Sequence, residues 1–492
     1  MKTTLAYSFF FFFHLLILTS ESQRSPPAVC ILGSGIGGSS VAHFLRTYSN
    51  PSQPEIGSIR IFERHSAVGG RMATVTIAGD TFEAGASILH PKNYHARNFT
   101  SLLNLTVKTS SSESDSSFGI WDGNKFVLKT LSSNSKLPIL QKLVSFANSV
   151  LIFLRYGFSL FRMENFVEGA VNSFLKYYEG FESRPAFEDV EEMLKWSGLY
   201  NLTTRTLEEE LTDAGLSTTL IQELVTVITR INYGQSVSMN ALAGAVSLAG
   251  SGGGLWSVEG GNWQMAAGLI NRSNVELHLG EEIESVSYLG ERYELNTTKG
   301  TSYLCEVVVV ATPLDELNIR FAPEISIPER KLQHTHTTFI RGLLNPSYFG
   351  LKSVSYIPEL VGTIETSEVP FSSISILKQY SEQDMAYKVF SRSYMEDDLL
   401  DLIFSVRNKT LKIDWAAYPH FNAPEVFAPF ILDDQHLYYV NAYENAASTM
   451  ETSAVSAENI ARLILSRLAD QAHATSDLES AGDDTSKMHS EL

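Results

Sequence analysis

The 492-residue chain has only two cysteines, Cys30 and Cys305, and a shortage of positive charge. Two cysteines exclude a disulfide framework, an all-cysteine zinc site and a CxxC redox pair, so we interpret both as buried thiols and predict no metal site. Lys plus Arg number 37 against 55 Asp plus Glu, which gives a net charge of −18. Because an acidic surface repels phosphate groups, nucleic acid is not an expected partner.

The chain also lacks a long uninterrupted apolar run beyond its N-terminus. The longest such stretch, residues 143–161, contains Ser145, Asn148, Ser149 and Arg155. With these polar interruptions it is not expected to cross a bilayer. It is interpreted either as a partly buried core helix or as an apolar helix at a membrane surface or at the mouth of a substrate channel.

The start of the chain has the pattern of a secretory signal peptide, predicted over residues 1–22. Lys2 precedes an apolar core at residues 6–18, and Ser20 and Ser22 provide small residues before a cleavage point at Gln23. The apolar core is short for a membrane span, and an uncleaved signal anchor is the alternative.

Six N-glycosylation sequons follow the signal peptide. They begin at Asn98, Asn104, Asn201, Asn271, Asn296 and Asn408. Signal peptide and sequons together indicate a glycoprotein of the secretory or endomembrane lumen. The last four residues, His489, Ser490, Glu491 and Leu492, differ at one position from an endoplasmic-reticulum retrieval signal, so retention there is a further expectation.

The mature chain begins with the pattern of a strand at residues 28–32, a helix at 39–48 and a strand at 58–62. The intervening turn has GxGxxG spacing, in which Gly33 permits a tight turn, Gly35 lets the backbone approach a pyrophosphate, and Gly38 lets helix and strand pack closely. Glu63 at the end of the second strand is suited to accept hydrogen bonds from ribose hydroxyls. Arg64 beside it is a further candidate cofactor residue.

A GGR element follows, in which Gly70 lets the main chain pass close to a cofactor and Arg71 can donate to a phosphate or a flavin. Together with segments 82–86, 258–261 and 311–313, it resembles FAD enzymes of the flavin amine-oxidase and phytoene-desaturase type. The resemblance implies that Glu444, after a last strand at 436–440, contacts the ribityl chain. It also implies that the helix beginning near Ser448 stabilises negative charge on the reduced flavin.

The predicted fold class is α/β, with a Rossmann-type FAD-binding domain of the glutathione reductase class and an inserted α+β substrate domain. The FAD-binding domain is assigned to residues 28–100, 251–325 and 426–470, and the substrate domain to 101–250, mainly helical, and 326–425, with mixed strands. A final helix is predicted over 448–468. The polar residues 471–492 are predicted to be a disordered tail.

Several longer segments resemble the prenylcysteine oxidase family, which includes plant farnesylcysteine lyase. They are residues 33–39, 68–71, 83–91, 230–236, 243–248, 255–262 and 437–441. Segments 230–236 and 255–262 are the most specific of these, and the resemblance runs over nearly all of the mature chain. It implies an enzyme of the lysosomal or vacuolar lumen.

The resemblance further implies oxidative cleavage of the thioether of S-farnesyl- or S-geranylgeranyl-cysteine, which degraded prenylated proteins release. FAD takes a hydride from C1 of the prenyl group, water adds, free cysteine and a prenyl aldehyde leave, and oxygen accepts the electrons to give hydrogen peroxide. Because C1 is allylic and adjacent to sulfur, positioning it over flavin N5 is the main requirement. No cysteine lies near the C-terminal flavin element, so FAD is expected to be non-covalent.

His90 is the candidate general base for the later proton transfers, because its segment is expected to run near the flavin. The alternative is a structural or exposed histidine. Asn232, Tyr233 and Gln235 are candidates for the polar end of the substrate site, and a hydrogen-bonded turn that shapes the core is their alternative. The helical insert 137–248, including 143–161, is the predicted wall of an apolar tunnel, and residues 415–420 border it.

Two other functions fit parts of the same pattern. Another FAD-dependent amine or polyene oxidase shares every cofactor residue, so only the family-specific segments separate it from a prenylcysteine oxidase. A prenyl-binding escort protein without turnover is disfavoured by the complete dinucleotide motif and by the signal peptide. Peripheral membrane contact through residues 143–161 is a further expectation.

Overall fold

A computed structural model describes residues 25–49, 55–109, 117–132, 138–179 and 184–489. The predicted signal peptide lies outside these ranges, and so does all of the predicted retrieval signal except His489.

The helices are α1 Ile36–Tyr48, α2 Tyr94–Leu102, α3 Pro138–Tyr156, α4 Ser159–Phe174, α5 Val190–Ser197, α6 Leu207–Asp213, α7 Thr218–Leu220, α8 Thr226–Tyr233, α9 Ala241–Ala249, α10 Trp263–Arg272, α11 Asp397–Ile403 and α12 Met450–His489. The strands are β1 Val29–Leu32, β2 Ile59–Glu63, β3 Thr74–Ile77, β4 Asp80–Glu83, β5 Val107–Thr109, β6 Phe118–Trp121, β7 Phe126–Lys129, β8 Trp256–Val258, β9 Val275–Leu279, β10 Ile283–Tyr288, β11 Tyr293–Thr297, β12 Ser302–Cys305, β13 Val307–Val310, β14 Arg320–Ala322, β15 Leu332–Leu344, β16 Leu360–Thr363, β17 Ser373–Ser381, β18 Asp384–Ser391, β19 Phe404–Pro419 and β20 Leu437–Tyr439.

Five parallel strands form the first sheet, in the order β20-β13-β1-β2-β9. Every residue of β1 and β13 is buried. Strands covered on both faces have continuous apolar runs, which is why these two read as unbroken hydrophobic segments in the sequence. Helix α1 packs against α10 and α12. The predicted α/β fold with a Rossmann-type domain is thereby confirmed.

The strands of this sheet come from three separate parts of the chain, residues 29–63, 275–310 and 437–439. A second, seven-stranded sheet has the order β19-β15-β18-β17-β16-β6-β7. Its β6–β7 hairpin precedes helices α3 to α9 in the chain, and its other strands follow them. The exact domain boundaries stay a prediction.

Smaller units lie beside the two large sheets. The strands β12-β11-β10-β14 form a four-stranded sheet, and the β3–β4 hairpin packs on one face of the seven-stranded sheet in a cluster that includes Ile77 and Phe339. Helices α6 to α9 share a hydrophobic cluster with β6 and β7. The helical insert is therefore packed onto the seven-stranded sheet through its later helices.

The two cysteines are joined in a disulfide, with their Cα atoms 5.9 Å apart. The interpretation of Cys30 and Cys305 as separate thiols is therefore wrong. Cys30 lies in β1 and Cys305 ends β12, directly before the strand that pairs in parallel with β1. The residues are 275 positions apart in the chain, so only the pairing of distant strands brings them together.

The C-terminal segment also differs from its prediction, because α12 continues to His489 and includes most of the segment assigned to a disordered tail. Packing into the core does end near the predicted point, since Leu465 is buried whereas Asp470 is exposed. Among the residues whose exposure is described, a low apolar content therefore coincides with the end of the buried positions. It did not mark the end of the helix, because Ala, Glu, Asp and Lys remain compatible with helical backbone.

Residues 143–161 fall on α3 and α4, which meet at an angle of 95°. We call this pair of helices, from Leu140 to Phe161, the elbow. Its exposed apolar side chains are those of Leu140, Leu143, Phe146, Val150, Phe153, Leu154, Phe158 and Phe161. No single helix in the described part of the chain has the length and apolarity of a membrane span, and the bent pair meets the criterion only when both helices are taken together. Tyr156 belongs to a hydrophobic core cluster, with Leu151 and Leu160 packed against it, so one side of the segment matches the partly buried core helix and the exposed side matches the surface helix.

Candidate active site

A cavity of about 610 Å³ lies where the first sheet, the helical insert and the seven-stranded sheet meet. One end is lined by the Gly-rich turn after β1 and by the end of β2, and the other by α4, α8 and α9. Between them lie the GGR segment, residues 84–90 and 415–418, and the start of α12. The carboxyl ends of the parallel strands border this cavity, which is the usual ligand position in open α/β sheets.

The Gly-rich turn is built for close backbone contact. Gly33 has φ +108°, and a Cβ on it would lie 2.7 Å from the carbonyl oxygen of Ala311. A Cβ on Gly38 would overlap the carbonyl oxygen of Gly33. A Cβ on Gly35 would meet only the oxygen of Gly69 at 3.8 Å, which is ordinary contact. Packing therefore requires glycine at positions 33 and 38, whereas at 35 the space next to the backbone is open toward the cavity.

Glu63 ends β2 beside this turn and is 5% exposed. Its Oε2 accepts hydrogen bonds from the backbone N–H of Ser34 (3.1 Å) and from Ser34 Oγ (2.6 Å), and its Oε1 accepts one from the N–H of His65 (2.9 Å). Carboxylate oxygens accept more than one bond each, so capacity for ribose hydroxyls remains. Arg64 also lines this end of the cavity.

Glu444 lies behind the cavity wall and holds two arginines in place. Its Oε1 is 2.5 Å from Arg71 Nη1, and its Oε2 is 3.2 Å from Arg330 Nη2. Burial alone would raise the pKa of Glu444, but Arg71 and Arg330 outweigh it and lower the pKa to about 2. Glu444 is not among the residues that line the cavity, and its direct contact with the cofactor stays a prediction. It acts through Arg71, which does line the cavity and also donates to the oxygen of Ala417 (2.6 Å).

Asn441, three residues before Glu444, lines the cavity. Its Nδ2 donates to Glu444 Oε2 (3.0 Å), while its Oδ1 is buried without a hydrogen-bond partner among the described residues. The 3-10 turn Val440–Asn445 rotates the chain after β20, so that Asn441 lines the cavity and Glu444 points inward. The signal for Asn441 in the sequence is its position just after the last parallel strand.

The start of α12 completes the cofactor end of the cavity, which is lined by residues 448–453. The partial positive charge of a helix N-terminus favours a ligand atom with negative charge at this place. The open side of Gly35, the orphaned Oδ1 of Asn441 and the carboxylate of Glu63 at the end of β2 together fit a dinucleotide cofactor. Within the described ranges, no group of three or more His, Cys, Asp or Glu side chains is arranged to hold a metal ion.

His90 lines the cavity, as expected for its segment. Its Nδ1 accepts a hydrogen bond from the backbone N–H of Lys92 (3.1 Å), and the backbone N–H of His90 donates to Asn93 Oδ1 (2.6 Å). Burial and the charge of Lys92 lower the pKa of His90, so the ring is neutral near pH 7. With Nδ1 accepting, the neutral ring carries its proton on Nε2 and can only donate there. This geometry disfavours a general base at His90, whose catalytic role stays a prediction.

The three predicted substrate residues separate in the structure. Asn232 and Tyr233 line the cavity, where Asn232 Nδ2 donates to the oxygen of Ser247 (2.8 Å) and the Tyr233 hydroxyl donates to the oxygen of Ser448 (3.0 Å). Gln235 does not line it. Its amide donates to the oxygen of Pro419 (2.9 Å) and accepts from the N–H of Phe421 (3.0 Å). Gln235 therefore fixes the chain after β19, which was its alternative interpretation.

The end of the cavity opposite the Gly-rich turn is apolar. It is lined by Ala170, Val171, Phe174, Leu175, Leu242, Ala245, Val246, Ala249 and Leu255. Most of these residues lie on the last turns of α4 and on α9, so the helical insert supplies the wall as predicted. None of residues 143–161 lines the cavity, which corrects their assignment to the tunnel. The arrangement as a whole can hold a dinucleotide and, next to it, a long apolar chain.

Comparison with protein families gives two matches. Residues 139–477 match the family model described as prenylcysteine lyase, and residues 31–103 match the model described as an NAD(P)-binding Rossmann-like domain. The chain is 66% identical to farnesylcysteine lyase of Arabidopsis thaliana, over 90% of this chain and 89% of that protein. It is 34% identical to prenylcysteine oxidase 1 of Homo sapiens, over 91% of this chain and 90% of that protein.

Solved structures with the same fold are more distant in sequence. Cyclohexylamine oxidase from Brevibacterium oxydans superposes with a TM-score of 0.59 at 16% identity, over 90% of this chain and all of that chain. Wild-type putrescine oxidase bound to putrescine gives a TM-score of 0.58 at 13% identity, over 90% of this chain and 99% of that one. These likenesses establish the fold. With a family match that covers residues 139–477 and a relative that is 66% identical over 90% of this chain, the chain belongs to the prenylcysteine lyase family.

Proposed function

We propose that the protein is an FAD-dependent oxidase that cleaves the thioether of S-prenyl-L-cysteine, with S-farnesylcysteine as the preferred substrate. S-farnesylcysteine, oxygen and water give farnesal, free cysteine and hydrogen peroxide. The observation that carries the proposal is one continuous cavity lined both by a dinucleotide turn and by an apolar wall, in a chain 66% identical to a protein named farnesylcysteine lyase.

The cofactor residues support FAD held without a covalent bond. The turn at Gly33–Gly38 and Glu63 would hold the adenosine diphosphate, and Arg71 and Asn441 would hold the flavin half. Cys30 and Cys305 are fully buried in their disulfide and neither lines the cavity, so neither cysteine can form a thioether with the flavin. Bound FAD supplies the acceptor for the hydride that leaves the prenyl C1, and oxygen then accepts the electrons.

The protein's own contribution is mainly positioning. The apolar wall formed by α4 and α9 fixes the prenyl chain by burial, at about 0.8 kcal/mol for each CH₂ group. Positive charge that develops on C1 is delocalised over the double bond and onto sulfur, so this step needs no strong base. Water then adds to C1, and the C–S bond of the hemithioacetal breaks to give the aldehyde and the thiol. The Nε2 proton of His90 is suited to hydrogen-bond an oxygen or sulfur atom during that collapse.

Anaerobic mixing of the purified protein with S-farnesylcysteine tests this function by stopped-flow absorbance. We expect the oxidised-flavin band to bleach with release of one thiol for each flavin. A yellow protein that bleaches only with amines would establish a different flavin oxidase. A protein without flavin that still binds the prenyl ligand would establish an escort-like binding protein.

We further propose that the mature protein resides in the lumen of the secretory pathway, in the lysosome or vacuole. A buried disulfide fits an oxidising compartment. Five of the sequon asparagines are exposed, whereas Asn296 lies in β11 with its amide donating to Ser285 and accepting from Ser302. Glycopeptide mass spectrometry is expected to find glycans at the exposed sites and none at Asn296. Glycans that all remain sensitive to endoglycosidase H would favour retention in the endoplasmic reticulum over the lysosome or vacuole.

Peripheral membrane contact through the elbow is the last part of this proposal. Leu154 is 80% exposed and Phe158 is 71% exposed, and six further large apolar side chains surround them. The opposite end of α4 lines the apolar part of the cavity, so the elbow and the substrate chain meet the same helix. Leu154→Glu with Phe158→Glu is expected to abolish co-sedimentation with phosphatidylcholine vesicles. Leu402→Glu, on α11 and 60% exposed, is the matched control that should bind as the wild type does.

A further inference from the structure

One face of the seven-stranded sheet borders the cavity with polar side chains that the proposed function leaves unused. Thr335 lies opposite Trp415 across the β15–β19 pair, and Thr337 lies opposite Phe390 across the β15–β18 pair. Because residues two apart in a strand point to the same face, these four side chains share one face. All four residues line the cavity.

Three polar atoms on this face lack partners. Thr335 Oγ1, Thr337 Oγ1 and Trp415 Nε1 are buried and make no hydrogen bond with any described residue. Leaving such atoms unpaired is costly, and native proteins rarely do so for several neighbours at once. A group that enters the cavity is therefore needed to complete them.

The chemistry of the three atoms selects the kind of group. Indole Nε1–H is a donor only, so its partner must accept a hydrogen bond, and both hydroxyls can donate as well. An ammonium group has no acceptor and cannot satisfy Trp415. A carboxylate, with two oxygens that each accept more than one bond, matches three donors on one sheet face.

A buried positive charge on the same sheet face favours an anion too. Lys388 is on the same face of β18, two residues before Phe390, and its Nζ donates to the oxygen of Glu83 (3.0 Å) and to Ser87 Oγ (3.1 Å). Burial lowers the pKa of Lys388 to about 8, which still leaves it mostly protonated at neutral pH. The carboxyl group that interacts with Lys388 is Glu83, whose pKa burial raises to about 7, so its negative charge is reduced there.

We propose that Thr335, Thr337 and Trp415 form a subsite that binds the α-carboxylate of the cysteine part of the substrate. The assignment rests on the proposed function, because it takes S-prenylcysteine as the molecule in the cavity. It makes the sheet face the element that recognises an amino acid, while α4 and α9 recognise the prenyl chain. Selectivity for a free carboxylate then comes from β15 and β19, and not from the helical insert.

The test compares two substrates on the FAD-loaded enzyme. S-farnesylcysteine carries the carboxylate, and S-farnesylcysteamine is the same molecule without it. In the wild type we expect the KM of the cysteamine analogue to be about 10-fold higher or more, the range for hydrogen bonds to a charged group. Trp415→Phe and Thr337→Val should each raise the KM of S-farnesylcysteine about 10-fold, with kcat changed less than about 3-fold. Neither should raise the KM of the cysteamine analogue.

A matched control is available on the same strand. Thr338 is buried, and its side chain lies on the opposite face of β15. Thr338→Val is expected to leave both KM values unchanged, and flavin content and melting temperature show whether each variant is folded.

Three results would overturn the subsite. An equal rise in KM for both substrates would mean that the side chains shape the cavity without binding the carboxylate. No loss on either would mean that they do not contact the substrate. A shifted flavin spectrum with unchanged KM values would place the three atoms on the cofactor. If the wild type turns over neither substrate but bleaches with an amine, the proposed function itself fails, which is a distinguishable outcome.

Discussion

The two ends of the cavity differ in how much of the wall is formed by backbone and how much by side chains. At the Gly-rich turn of the cofactor end the wall is backbone: Gly33 and Gly38 leave no room for a Cβ, and Gly35 has its open side toward the cavity. At the substrate end the wall is side chain, from α4, α9 and the seven-stranded sheet. Since backbone cannot be exchanged by mutation and side chains can, the first end should respond to substitution by complete loss and the second by graded change.

The largest expected effect sharpens this contrast within one turn. Gly38→Ala places a Cβ on the carbonyl oxygen of Gly33, so we expect loss of both folded protein and flavin. Gly35→Ala meets no protein atom closer than 3.8 Å, so it should fold with a melting temperature near that of the wild type and lose flavin only. Melting curves and the visible flavin absorbance of both variants are the measurements. Equal destabilisation by both substitutions would contradict a ligand-specific role for Gly35.

Glu444→Gln is expected to have the next largest effect, since it breaks a buried network with Arg71 and Arg330. Removing one partner of a buried ion pair costs about 3–5 kcal/mol of unfolding free energy. The pKa of Glu444 in the folded protein is lowered to about 2, so its stabilisation is complete above its ordinary value and disappears as the pH falls toward 2. Urea unfolding at pH 7 and at pH 3 should therefore show a smaller difference between variant and wild type at the lower pH. A constant difference would contradict this pairing.

A graded effect is expected at the substrate end. Ala245 on α9 is buried and lines the apolar wall, so Ala245→Phe should fill space that the prenyl chain occupies. The KM of S-farnesylcysteine should rise about 10-fold or more, because several buried CH₂ groups are displaced at about 0.8 kcal/mol each. Flavin content should stay unchanged. The shorter S-geranylcysteine serves as the substrate control. An equal rise in KM for both substrates would mean that Ala245 does not contact the end of the farnesyl chain that S-geranylcysteine lacks.

The smallest effect is expected at His90, which belongs to the stretch between the two ends. Because its Nδ1 accepts from Lys92, the ring is not positioned as a general base, and His90→Ala should lower kcat by less than about 3-fold. The pH profile of kcat gives a second check. Burial lowers the pKa of His90, so if His90 were a general base, kcat would fall at a pH below the ordinary pKa of histidine. We expect the pH profiles of kcat for the wild type and for His90→Ala to have the same shape. A loss of 100-fold would establish His90 as a catalytic residue.

Several site residues could be recognised from the sequence because their signals are local. The spacing of Gly33, Gly35 and Gly38 between a predicted strand and helix is set by the geometry of one turn, and Glu63 ends the very next strand. The substrate end had no such signal. Thr335 and Thr337 are two threonines in a long strand. Only the register of β15 against β19 and β18 places them on one sheet face with Trp415, beside the cavity.

The sequence by itself determined the parallel sheet, the dinucleotide turn and the family of the chain, since each depends on the order and spacing of neighbouring residues. Tertiary structure alone decided that Cys30 meets Cys305, that Asn441 and not Glu444 lines the cavity, that Gln235 fixes a loop, and that the elbow is exposed. Those outcomes depend on how distant segments pack and on the rotation of a single turn. Neither the packing of distant segments nor the rotation of a turn can be inferred from the identity of a single residue.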